Sequence, residues 1–186
     1  MSHLLKHAFH WFYCLPIVDA FLLMVLVTFI FHYVKDVFSR FFGWKLFVWI
    51  VLFLSFALVF FSTVSDRTTG NTLDYNLIPF HSYRAVMNGD NPEILRSNFM
   101  NAVLFYPAGL LTASLLPDKL PRLSRLLLTV LLYSFMSAGI EYLQYRYSLG
   151  NVEIDDIIHN TLGAFFGSLL GITSFRFPAV FGGSKE

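Results

Sequence analysis

Residues 151–167 read NVEIDDIIHNTLGAFFG. The first half crowds three carboxylates, Glu153, Asp155 and Asp156, beside His159 and Asn160, and the second half is apolar and glycine-spaced. Asp155 and His159 stand four apart, as do Asp156 and Asn160, so each pair shares a face of a helix. Gly163, Gly167 and Gly171 recur at the same interval and leave one face bare for the close approach of a second helix. The stretch reads as one helix with a charged head and a tightly packing, lipid-type body. Its glycine face is expected to seat it against the helix carrying Glu141, with Gly139 as the matching small residue.

Composition agrees with a lipid setting. The 186 residues are 56% hydrophobic, 18% aromatic and only 13% charged, with 22 phenylalanines, whereas soluble domains carry about 25% charged residues. A net charge of +1 offers no footprint for nucleic acid. The single cysteine, Cys14, excludes an internal disulfide, and "WFYC" lacks the small residues of a lipoprotein site. Asp19 precedes the first apolar run and no small-residue cleavage site follows it, so the N-terminus does not read as a cleaved signal.

A spanning helix needs about 20 apolar residues. Five segments qualify: within Leu15–Val34, Leu46–Val64, near Asn98–Leu116, near Leu123–Gln144 and near Ile157–Phe175. The predicted fold is all-α, a polytopic transmembrane bundle of about five spanning helices. Lys35, Arg40 and Lys45, then Lys119, Arg122 and Arg125, then Arg176 and Lys185 fall in connections on one side of such a bundle. The positive-inside bias makes that side cytoplasmic. The N-terminus is then outside and the C-terminus inside. The chain divides into N-terminal spans (1–62), a membrane domain (63–175) and a cytoplasmic tail (176–186).

The outer side then receives the polar groups. Pro79 forces Ile78 out of the helical region, so "NLIPF" (76–80) is not helix interior. "NGDNPEIL" (88–95) reads as a helix start, with Asn91 as cap, Pro92 at the first position and Glu93 at the positive end of the dipole. Glu141 lies about 24 Å of helix from Arg125, with Gln144 one turn farther out. His159 and Asn160 lie roughly one turn below the outer surface, level with Asn101. Three helices are thus expected to bring polar side chains to one depth. Ionisable groups at that depth face a bundle interior or a watered cavity. They serve either as a polar network tying helices together or as a substrate or ion site. Asp155 and His159 are candidate metal ligands, and Asp/His also forms an acid–base pair. The acidic start also suits a helix dipole with no further role. Arg67, Arg84 and Arg146, on the same side, suit an anionic head group. No motif names a cofactor.

"NLIPF" (76–80), "NAVLFYPAGLL" (101–111), "GIEYLQ" (139–144) with an arginine following, and "EIDDIIHNTLGAFFG" (153–167) occur in the order seen in the VanZ-like family, which the chain resembles over roughly residues 63–172. The positions matching the family pattern are Arg67, Asn76, Pro79, Phe80, Asn101, Phe105, Pro107, Gly109, Glu141, Gln144, Arg146, Asp155, Asp156, Asn160, Gly163 and Gly167. His159 and Ala108 depart from it, each standing where an aliphatic residue is common. The resemblance implies a bacterial cytoplasmic-membrane protein acting in the cell envelope or in resistance to the glycopeptide teicoplanin. On this reading, Arg67, Asn76, Asn101, Glu141, Gln144, Arg146, Asp155, Asp156 and Asn160 form an outward pocket for a lipid-linked or lipoglycopeptide head group, with membrane lipid as partner. The alternative is an intramembrane hydrolase or transferase on a lipid-linked envelope substrate, with Glu141 or Asp156 as base. An ion-coupled carrier ranks last, because no matching charges lie on the cytoplasmic half.

Overall fold

The computed structural model describes residues 17–38, 44–61 and 75–173. Along the chain run α1 (Ile17–Phe38), α2 (Trp44–Phe60), β1 (Tyr75–Asn76), α3 (His81–Met87), α4 (Glu93–Leu115), α5 (Arg122–Tyr147), β2 (Val152–Glu153) and α6 (Ile154–Gly171). Arg67, Cys14 and the tail 176–186 lie outside the described residues.

α1 and α2 are apolar on every face. Only Ala20, Phe31 and His32 of α1 and Val48, Leu52 and Val59 of α2 are buried. A core helix of a soluble protein buries its apolar surface, whereas a helix apolar all round suits a bilayer. Among the described residues, α1 and α5 are long and apolar enough to cross a membrane, and α2 is apolar but shorter. Two helices, not five, thus meet that description. α4 and α6 fall outside it because their N-terminal halves are polar: Glu93, Arg96, Asn98 and Asn101 on one, Asp155, Asp156, His159 and Asn160 on the other.

α4 is the central helix, with twelve of its 23 residues buried. It starts where "NGDNPEIL" suggested: the Asn91 side chain accepts the Glu93 N–H at 3.0 Å, and the helix then runs unbroken through Pro107. Its most extensive interface is with α6. A Cβ added at Gly163 would collide with the Ala102 carbonyl, at Gly167 with that of Tyr106, and at Gly171 with that of Leu110. From α4, Gly109 meets the Ala164 backbone in the same way. The glycine face of α6 therefore rests on α4 and not on the Glu141 helix, and a Cβ at Gly139 would meet nothing within 4 Å. The expectation failed because residue spacing defines a face but not which neighbour meets it.

Arg125 also differs from a residue reaching toward the membrane surface. It is buried, and its guanidinium donates to the Ala113 carbonyl (2.7 and 3.2 Å) and to Asp118 (2.8 Å). It holds the last turn of α4 against the first turn of α5, satisfying a carbonyl that a helix end leaves open. Deeper in, Tyr133 is fully buried. It accepts from Thr112 Oγ1 at 2.7 Å and donates to the Ala108 carbonyl at 3.1 Å, locking α5 onto α4.

β1 and β2 pair in parallel, Tyr75 opposite Val152 and Asn76 opposite Glu153. This two-residue ladder joins the segment before α3 to the segment before α6. It brings "NLIPF" to the head of the α4–α5–α6 cluster.

Candidate functional site

The "NLIPF" turn is built against α6. Asn76 Oδ1 accepts the Ile78 N–H at 3.1 Å, and Pro79 is followed by Phe80 in the left-handed region at φ 60°. A bulky L-residue there is uncommon, and Asp155 holds it in place. Its carboxylate accepts the Phe80 N–H (2.5 Å), the Ser82 N–H (2.9 Å) and the Ser82 hydroxyl (2.5 Å). Asp155 thus caps α3 from another helix, performing the task of an N-cap residue. Arg84 closes the turn by donating to the Pro79 and Phe80 carbonyls.

His159 lies one turn below Asp155. Its Nδ1 sits 2.6 Å from the Asp155 backbone carbonyl, which can only accept, so Nδ1 carries the proton. Nε2 then accepts from the Tyr83 hydroxyl at 2.7 Å in the neutral ring, with the two ring planes 16° apart. Burial, and after it the Asp155 charge, push the Tyr83 phenol above its ordinary range. Asp155 and His159, the pair considered for a metal, therefore engage protein groups, and no cluster of three His, Cys, Asp or Glu suited to a metal occurs among the described residues.

The other candidate residues form contacts between helices. Asn101 Nδ2 on α4 donates to Asp156 Oδ1 on α6 at 2.8 Å. Asn160 Nδ2 on α6 donates to Ser137 Oγ on α5 at 2.9 Å. Glu141, 4% exposed, accepts the Glu153 N–H through Oε2 at 3.0 Å, so α5 holds the start of α6. Gln144 is buried in the same helix, and its carbonyl accepts the Leu149 N–H at 3.0 Å where α5 ends. Arg146 is exposed in that last turn, where a cation suits the helix dipole.

Glu141 also lines an open pocket of about 470 Å³ together with Tyr75, Tyr142, Tyr145, Leu77, Val152 and Ile157. The three tyrosines are half to two-thirds exposed. Neither Arg84 nor Arg146 lines it, and Glu141 is the charged member of its wall. The tyrosines were not picked out from sequence, although Tyr145 follows Glu141 by one helical turn. Ser82 and Ser137 were missed because nothing local distinguishes a serine that meets a carboxylate or amide from a distant segment.

With this geometry in view, the comparison with known families is decisive: the VanZ/LLP1 family matches residues 42–175. The chain belongs to the VanZ-like family. The match takes in α2 as well as everything from β1 to α6, and so begins earlier than the motifs alone implied. The motifs shared with VanZ-like proteins are the segments brought together here: "NLIPF" on Asp155, Asn101 on Asp156, and Glu141 on the start of α6. No curated protein and no solved structure matches the chain.

Proposed function

We propose that this VanZ-like protein is a multi-pass protein of the bacterial cytoplasmic membrane, with five spans, the N-terminus outside and the C-terminus inside. On this reading its outer pocket, apolar apart from Glu141 and the tyrosine hydroxyls, binds the head group of a lipid-linked envelope precursor or of a lipoglycopeptide of the teicoplanin type. The observation that carries the reading is Glu141: a nearly buried carboxylate in the wall of an open pocket with Tyr75, Tyr142 and Tyr145. Tyrosines offer apolar ring faces with polar tips, and a lone carboxylate suits hydroxyl and ammonium groups better than phosphate. Hydrolysis or transfer with Glu141 or Asp156 as base is the alternative reading; each carboxylate accepts a protein hydrogen bond, Glu141 from Glu153 and Asp156 from Asn101, which orients it, and a carboxylate has lone pairs enough to accept a ligand group or a proton as well.

The test is titration of the purified protein with teicoplanin, alongside drug tolerance of cells expressing equal amounts of parent and variant. Glu141→Gln and Tyr142→Ala are expected to weaken binding by about tenfold or more, a loss of about 1.4 kcal/mol, and to lower tolerance in step. Unchanged affinity and tolerance in both variants would remove the pocket from the function.

A further inference from the structure

A second and larger cavity lies on the other side of α6. It occupies about 680 Å³ between α1, α4 and α6, within the range of small-molecule sites, about 300–1,000 Å³. Its walls run parallel. Along α6 they extend from His159 to Leu170, and along α1 from Phe21 to His32, each about 16 Å of helix at about 1.5 Å per residue. The cavity is therefore long and narrow. Phe29 and Phe166 line it and are both more than half exposed, so it is open to the outside of the bundle between α1 and α6.

The polar atoms inside it are consumed. Thr28 Oγ1 donates to the Met24 carbonyl at 2.8 Å and takes the Tyr106 hydroxyl. His32 Nε2 donates to the Leu170 carbonyl at 3.1 Å. Nothing along the middle of the walls asks for a polar guest, and the end of the cavity toward the polar cluster holds the Tyr83–His159 pair. The exposed α1 residues that line it, Phe21, Val25 and Phe29, are all apolar, and in the membrane setting proposed above the medium beside them is hydrocarbon.

We infer that this groove holds one hydrocarbon chain of a membrane lipid, lying along α6 with its polar end beside Tyr83 and His159. A linear chain fits the length, the lack of polar demand and the lateral opening together. Ile157 lines the Glu141 pocket and His159 the groove. Two residues apart on a helix point to nearly opposite faces, so the groove is a site separate from the proposed head-group pocket.

The experiment uses the full chain in phosphatidylglycerol vesicles doped with a phospholipid bearing a diazirine near its chain terminus. Photolabelling is expected to concentrate on groove residues such as Phe29, Ala102 and Phe166, relative to the outward residues Phe53 and Leu131. Val25→Trp and Leu162→Trp, which fill the groove from half-exposed positions, are expected to cut groove labelling by about tenfold with unchanged thermal unfolding. Glu141→Gln is expected to leave the labelling unchanged, which separates this site from the head-group reading. Uniform labelling around the bundle, groove labelling in both tryptophan variants equal to that of the parent chain, or disulfide capture of a second copy through Val25→Cys would overturn the assignment.

Discussion

Asp155 on α6 and Ser82 on α3 are 73 residues apart in sequence, yet the Asp155 carboxylate accepts both the backbone N–H and the hydroxyl of Ser82. The carboxylate also takes the Phe80 N–H, so one acidic side chain determines the path of the whole "NLIPF" turn. The acidic head of α6 thus organises a neighbouring segment before it does anything for a ligand.

Asp155→Ala should therefore be among the most damaging single changes at this end of the bundle. Removing the acceptor leaves donors unsatisfied, at about 1–3 kcal/mol or more where the partner is charged. The melting temperature in detergent should fall clearly, and Asp155→Asn should recover only part of the loss. Parent-like melting of Asp155→Ala would mean that the turn is held by other contacts.

Phe80 is a different case. Its left-handed backbone is uncommon for a bulky residue, and the residue is 53% exposed. Phe80→Gly should hold or raise stability, since glycine adopts positive φ freely, whereas Phe80→Val should lower it. Chemical denaturation of the two variants side by side decides the matter, and a less stable glycine variant would show that the ring matters more than the backbone.

The glycines of α5 and α6 should behave oppositely. Gly163→Ala drives a methyl into the Ala102 carbonyl of α4, and overpacking of this kind costs about 1–3 kcal/mol. Gly139→Ala meets open space and should gain about 0.5–1 kcal/mol from helix propensity alone. Equal responses at the two positions, measured by thermal unfolding in one detergent, would contradict the α4–α6 contact.

Much of this was legible in the residues because it depends on local periodicity. The apolar runs located α1, α2, α4, α5 and α6 to within a few residues, Asn91 and Pro92 marked the start of α4, and Pro79 kept "NLIPF" out of a helix. Asn101, Glu141 and Asp156 were also expected near one level, which follows from counting turns. Pairing between elements was not legible. The four-residue spacing of Gly163, Gly167 and Gly171 fits any helical neighbour, and only the packed structure selects α4. The partner of Arg125 was not legible for a related reason: position near a helix end does not reveal that the Ala113 carbonyl lies within reach and captures the guanidinium.

Asn101 and Asp156 should be energetically coupled. The bond between them is charge-assisted when Asp156 is ionised, and such bonds contribute about 1.5–3 kcal/mol. A double-mutant cycle with Asn101→Leu and Asp156→Leu should return a coupling of that order. Strictly additive losses would remove this contact from the energetics of the α4–α6 interface.

Tyr83 gives the site a dependence on alkaline pH. Its phenol is held above the ordinary value of about 10. Below that value the folded and unfolded chains both keep the proton, so stability does not respond. Above it the unfolded chain releases the proton first, and stability falls as pH rises through the raised native value. Melting curves from about pH 8 to about pH 11 should show a decline that is shallower in Tyr83→Phe. Parallel declines would assign the effect to other groups.

The bond between Asp155 and Phe80 spans 75 residues, and this separation bears on biogenesis. At about 5–20 residues per second of synthesis, the "NLIPF" segment leaves the ribosome roughly 4–15 seconds before the carboxylate that caps it. During that interval β1 has no β2 to pair with and α3 has no cap. A chain interrupted before α6 would therefore carry its early helices without the finished turn, and a quality-control protease could recognise incompleteness there.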